Sequence, residues 1–211
     1  MDRGTMVSSA RTELPLHMPN LDTLDISSSH EVVNTPMLPS KFLYLKHLNI
    51  DLVSGSTPLP SYDYFSLVSF LDASPSLETF TLNTQVCPVF MEHESTFLNP
   101  SDLRQMPEHF HGHLNSVKIS CFRAEKGLVE LTCYIPKNAV SLECITLDTI
   151  YGQQKCYLET YRHCDYIEDS VLEQVPRALS VIRTYIEDKV PLSVKLTVVE
   201  PCSKCQIIRG Y

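Results

Sequence analysis

Apolar residues recur along this chain in one short figure, Leu-x-x-Leu-x-Leu. Leu21, Leu24 and Ile26 form the first, Leu45, Leu48 and Ile50 the second, and Leu77, Phe80 and Leu82 the third. Leu114, Val117 and Ile119 follow, then Leu142, Ile145 and Leu147. The later positions of each figure alternate with polar residues, the period of a strand with one buried face. A polar or Pro-containing turn precedes each, such as Met18-Pro19-Asn20 or Ser74-Pro75. In a sixth figure, Ser193-Val194-Lys195-Leu196-Thr197-Val198, Ser takes the place of the first leucine. Between figures the apolar spacing becomes helical. Leu128, Leu131 and Ile135 predict a helix, although Pro136 should end it near Ile135 and leave 137–141 as a turn. Tyr64, Val68 and Leu71 predict a second helix over 64–73. Leu179, Ile182 and Ile186 predict a third over 175–189, with Pro176 in its first turn. Asn99 to Met106 predict a short helix ended by Pro107.

Strand, return helix and next strand make the unit of a leucine-rich repeat, which runs about 20–29 residues. The first leucines here are separated by 24, 32, 37 and 28 residues, so two gaps fit and two are stretched. The reading is therefore an α/β fold: a leucine-rich-repeat solenoid of five to six irregular repeats, a curved parallel sheet with helices on the outer face. An ordinary α/β domain with similar strands is the alternative. The repeat domain spans 14–211. Residues 1–13 are unpatterned and read as disordered. Residues 151–174, polar and tyrosine-rich, read as a loop insertion.

In such an array the leucines face inward and the intervening side chains face out. Two rows of outward positions result. One holds Thr23, His47, Thr79, Ser116, Cys144 and Lys195, the other Asp25, Asn49, Thr81, Lys118, Thr146 and Thr197. Apart from Cys144 and Lys195, these residues, with hydrogen-bonding groups and few charges, are the candidate protein-binding surface, since solenoids commonly bind partners on an extended face.

Charge narrows the partners. With 17 Lys+Arg against 25 Asp+Glu the net charge is −8, and no basic cluster offsets it. A phosphate backbone is disfavoured, so no nucleic-acid partner is expected. No apolar run of membrane-spanning length occurs, and the first residues lack the apolar centre of a secretory signal, so no membrane partner is expected either. Eight cysteines without such a signal imply reduced thiols in the cytoplasm or nucleus. Cys121 and Cys133 read as structural.

Two patterns invite a metal. His109, His111 and His113 alternate, but no Cys or carboxylate completes a set, and they read as a solvated loop. Cys202 and Cys205 make half a zinc site that Cys156, His163 and Cys164 could complete, though the Cys156–Cys164 spacing does not suit a zinc knuckle. No metal, cofactor or catalytic residue is assigned. Glu125, Glu130 and Glu143 read as solvated charges.

Three segments carry a resemblance: MPEHFHGHLNSVKISCF (106–122), KGLVELTCYIPKNAVSLECITLDT (126–149) and VIRTYIEDKVPLSVKLTVVEPC (181–202). They resemble the C-terminal region of plant F-box/leucine-rich-repeat proteins of the FBD type, with the FBD-like part at 101–202. MPNLDTLDI and FLYLKHLNIDL look like preceding repeats of the same proteins. The resemblance implies a non-enzymatic protein-binding module, the substrate-holding arm of a cullin ubiquitin ligase receptor. In that family an F-box docks on a Skp-type adaptor. Leu14-Pro15-Leu16 echoes the start of an F-box, yet only twenty residues precede Leu21, so adaptor binding is not expected. A truncated remnant without a partner is the alternative.

Overall fold

A computed structural model describes residues 5–29, 31, 33–53, 62–85, 103–104, 109–150, 156–157, 163–164, 167 and 169–202, with backbone alone at 156–157, 163–164, 169 and 170. Six strands form one parallel sheet: β1 (Thr23–Ser29), β2 (His47–Val53), β3 (Thr79–Gln85), β4 (Ser116–Ser120), β5 (Cys144–Asp148) and, after an intervening antiparallel pair, β8 (Lys195–Val199). Their order in the sheet is that of the chain. The pair is β6 (Cys156–Tyr157) with β7 (His163–Cys164). Each strand buries alternate residues, as in the sequence Thr23–Ser29, where Leu24, Ile26 and Ser28 turn inward. Leu45, Leu77, Leu114 and Leu142 are all buried in one core, and Leu21 packs against it. The solenoid reading therefore holds.

One backbone pattern sets the rise from repeat to repeat. The Asp22 carbonyl accepts from both Lys46 and His47, and the Lys46 carbonyl from Glu78 and Thr79. Glu78 and Asn115 repeat the arrangement for the next two strands. At β8 it lapses: the Glu143 carbonyl accepts from Lys195 at 2.8 Å, and Val194, 9% exposed, fills the first apolar position while Ser193 is exposed. The expected assignment of Ser193 to that position is corrected. The Val194 amide turns back to the Pro191 carbonyl at 2.9 Å, and this turn brings the apolar residue nearest the strand into the core.

The return layer is α2 (Val68–Ala73) with a 3-10 turn before it (Tyr64–Leu67), α3 (Lys126–Asn138), and α4 (Asp169–Val181) running into a π turn (Ile182–Ile186). Phe42 stacks on Phe70 at 6.0 Å, and Phe65 meets Tyr134 edge-on at 6.2 Å, so aromatic rings join neighbouring repeats. Gly127 permits the close approach of α3: a Cβ there would lie 2.7 Å from Asp63 Oδ1 and 3.1 Å from the Tyr64 nitrogen.

Four local expectations are revised. Residues 6–13 are not disordered: they open α1 (Met6–His17), whose inward stripe is Val7, Arg11 and Pro15. Arg11, 1% exposed, donates to Ser69 Oγ and O at 2.9 and 3.1 Å, Leu38 O at 2.7 Å and Ser40 Oγ at 3.1 Å. Its burial holds the guanidinium pKa below the usual value. Next, α3 continues through Pro136 to Asn138. The turn survives because the Ala139 amide reaches Ile135 O at 2.9 Å and Asn138 Nδ2 caps Tyr134 O at 2.8 Å. Third, α4 starts at Asp169, so Pro176 lies inside it and the irregular insertion stops short of residue 174. Its inward stripe is Val171, Val175, Ala178 and Ile182, with Leu179 half-buried. Finally, Glu130 is no solvated charge but is 3% exposed. The short helix expected before Pro107 lies mostly outside the described residues.

Candidate protein-binding face

The register brings the predicted residues into two continuous rows. Thr23, His47, Thr79, Ser116, Cys144 and Lys195 are successive ladder partners, as are Asp25, Asn49, Thr81, Lys118, Thr146 and Thr197. All are exposed or half-buried. A parallel sheet in register stacks equivalent side chains about 4.8 Å apart, so short polar groups meet across strands. His47 Nδ1 lies 2.9 Å from Thr79 Oγ1, and Asn49 Nδ2 donates to Asp25 Oδ1 at 2.5 Å. The Cys144 thiol donates to Ser116 Oγ at 3.3 Å.

The sheet face has a third row that the repeat figure alone did not point to. Ser27, Asp51, Asn83, Ser120, Asp148 and Val199 are also ladder partners. Asn83 Nδ2 donates to Asp51 Oδ1 at 3.0 Å. The signal was one further alternation in the sequence, with Ser28, Leu52 and Thr84 buried beyond the third apolar position.

Behind the face, buried polar groups tie the return layer together. Glu130 accepts three bonds from Arg104, from its amide at 2.7 Å, its Nε at 2.8 Å and its Nη2 at 2.5 Å. Arg104 also donates to both oxygens of Asp63 at 2.6 and 2.7 Å and stacks over Phe65 at 4.6 Å. The bonds to Asp63 and Glu130 raise the guanidinium pKa, against the opposing effect of its partial burial. Tyr134 donates to Asp72 Oδ1 at 2.7 Å and lies 3.2 Å from His111 Nε2. With the Tyr134 hydroxyl proton directed at Asp72, the His111 Nε2–H is the donor to Tyr134. Burial holds the His111 pKa at about 4, outweighing the pull of Asp72.

The histidine run is thus not a uniformly solvated loop. His111 is buried, and its amide donates to Asn138 O at 2.9 Å, while His109 and His113 are exposed. Among the described residues no group of three or more His, Cys, Asp or Glu is placed to hold a metal. Cys202 packs against a small second core of Ile150, Ile167, Val171 and Leu172. Cys205 and the side chains of Cys156, His163 and Cys164 lie outside the described residues. Burial raises the pKa of the Cys133 thiol, which donates to Tyr185 O at 3.3 Å, and no helix among the described residues is long and apolar enough to cross a membrane.

In a comparison with protein families, the model described as "At1g61320/AtMIF1, LRR domain" matches residues 1–203. The chain belongs to this family. Comparisons with curated proteins and with solved structures gave no significant match. Membership agrees with the registered six-stranded sheet and its return helices, which is not closed into a barrel. The match begins at residue 1, so α1 is part of the family domain. Leucine-rich-repeat domains are protein-interaction modules, presenting an extended surface built by repetition.

Proposed function

We propose that the chain is a non-catalytic recognition arm that seats a protein partner on the open sheet face, as the repeats of FBD-type ubiquitin-ligase receptors do. The observation that carries this reading is the set of registered polar rows, exposed or half-buried across six strands. A face of that length held by cross-strand hydrogen bonds is pre-ordered, which lowers the entropic cost of binding. The ligase relationship is supported by the FBD-like segments 106–122, 126–149 and 181–202. The reading puts the protein in the cytoplasm or nucleus, where its thiols stay reduced.

Thr81 stands near the middle of the face, and Thr81→Trp would block it without touching the core. Tagged native chain and this variant, incubated with plant extract, test the reading. Proteins captured by the native chain and lost with Thr81→Trp support it. The same captured set with both places binding elsewhere. The ligase relationship further predicts that the captured proteins accumulate when the proteasome is inhibited. Face-dependent partners whose levels do not respond would keep recognition and remove the ligase role.

A further inference from the structure

The turns that lead into the six parallel strands stack as regularly as the strands. The amides of Lys46, Glu78, Asn115, Glu143 and Lys195 donate to the carbonyls of Asp22, Lys46, Glu78, Asn115 and Glu143 in turn, at 2.7 to 2.9 Å. Just outside, Ser76 Oγ donates to Leu43 O at 2.7 Å and Ser141 Oγ to Gly112 O at 2.6 Å. The amides of Leu21, Leu77, Leu142 and Val194 each return to the carbonyl three residues back, which puts the residue between, two before each of them, at the tip of a turn. Over the six repeats that position is Pro19, Leu43, Pro75, Gly112, Val140 and Leu192, all exposed. Proline is favoured at the second residue of such a turn, which accounts for Pro19 and Pro75. Leu43, Val140 and Leu192 have no such reason, and Leu192 is fully exposed. Nor does the chain's own packing require a glycine at 112, where a Cβ would meet nothing within 4 Å. Six of the ten large apolar side chains exposed among the described residues lie in these turns: Met18, Leu43, Tyr44, Phe110, Val140 and Leu192. Scattered singly they would need no explanation, but along one ridge they mark a contact surface.

Beside the ridge, towards the open face, runs the row Asp22, Lys46, Glu78, Asn115, Glu143 and Lys195, exposed or half-buried. Its signs in chain order are minus, plus, minus, neutral, minus, plus. Laid against its own reverse, the row sets Asp22 opposite Lys195, Lys46 opposite Glu143, and Glu78 opposite Asn115, whose amide is a donor. Laid in the same order, it sets like on like at every charge. The ridge reverses equally well: Leu192 meets Pro19, Leu43 meets Val140, and Gly112 meets Pro75 at the centre. Lys46 already lies 3.3 Å from Glu78 of its own chain, yet its side chain is 53% exposed and has ammonium hydrogens for a second carboxylate. On the helix side, Lys41 and Lys137 fall opposite one another, and Lys41 is drawn to the end of α2 by the Asp72 carbonyl at 2.7 Å. There too Glu187, Asp188 and Lys189 fall opposite His17 in the last turn of α1.

We propose that this ridge docks a second copy of the chain in reversed order, about a two-fold axis normal to the sheet between β3 and β4. Such a contact is isologous: what each copy gives at one end it receives at the other. The strip is ~24 Å long over five strand spacings and roughly 10 Å deep, less than the ~800 Å² that each partner gives to a standard interface. Pairing is therefore reversible and depends on concentration. The axis turns both open sheet faces to the same side, so that the pair presents them together to a bivalent partner. The pairing itself does not rest on the recognition reading above.

Sedimentation of the purified chain over a range of concentrations tests this, with a reversible monomer–dimer equilibrium expected. Gly112→Trp, which has open space in its own chain, and Leu192→Glu should each lower the association constant tenfold or more and leave the unfolding midpoint unchanged. Glu143→Lys should lower it about tenfold, since each dimer holds that pair twice, and Lys46→Glu/Glu143→Lys should restore it. The two sites lie three strands, ~14 Å, apart in one chain, beyond a Debye length of about 8 Å, so the rescue reads a contact between copies. Sedimentation as a monomer throughout overturns the proposal. So does a dimer indifferent to Gly112→Trp and Leu192→Glu, or one whose loss in Glu143→Lys is not repaired by adding Lys46→Glu.

Discussion

Glu130 and Glu143 are equivalent charges in the sequence and meet opposite fates. Glu143 is exposed where β5 begins, whereas Glu130 is sealed under Arg104, contributed from 26 positions away. Removing Arg104 strands a buried carboxylate. Arg104→Ala is therefore expected to lower stability by about 3 kcal/mol, the low end for a broken buried pair because Arg104 is itself half exposed. The midpoint of urea unfolding measures it, and a double variant with Glu130→Leu should recover much of the loss. His111 acts through pH. Its folded pKa of about 4 lies below the ordinary value near 6.5, so the unfolded chain binds the proton more readily. Its contribution is fully present above pH ~6.5 and is lost as pH falls towards 4. Unfolding midpoints at pH 7.5, 5.5 and 4.5 should fall steeply in the native chain and less steeply in His111→Gln.

At the scale of elements, α3 shows how a helix outlasts a proline. Pro136 withholds one amide and crowds the preceding turn, which ordinarily ends or kinks a helix. Asn138 compensates from both ends of its side chain, donating to Tyr134 O at 2.8 Å and accepting from the His109 amide at 3.1 Å. Asn138→Ala removes both bonds from a fully buried site and is expected to cost about 2 kcal/mol. Faster amide exchange at His109 and His111, with the exchange of β3 unchanged, would locate the damage at the end of α3. Helix α1 carries a related lesson. Its stripe of Val7, Arg11 and Pro15 has a cation in the middle and so is not an apolar pattern. Only Ser69, Leu38 and Ser40, brought round from the next repeat, make that position a buried one.

For the whole molecule, each strand contacts its chain neighbours, and stability is close to a sum over adjacent repeats. The position of a leucine in the stack then sets its weight. Leu82, fully buried in β3 with strands on both sides, should cost about 3 kcal/mol as Leu82→Ala. Leu196 in the last strand is half-buried, and Leu196→Ala should cost about 1 kcal/mol. Equal losses would show that the array unfolds without regard to position. Substitutions on the outward rows, such as Lys118→Glu, should leave stability within about 0.5 kcal/mol, which allows binding and folding to be read apart.

The architecture was legible from the residues because inward and outward alternation is a local property. A leucine two positions from another on a strand shares its face whatever the rest of the chain does. That placed the strands, two of the three rows of the candidate face, and the core leucines from Leu21 to Leu142. Tertiary structure decided what depends on partners distant in the chain: the burial of Arg11, Glu130 and His111, the choice of Val194 over Ser193 at the turn into β8, and the third row with its held carboxylates. A polar side chain has no fixed place until another element supplies, or fails to supply, the groups that replace its water.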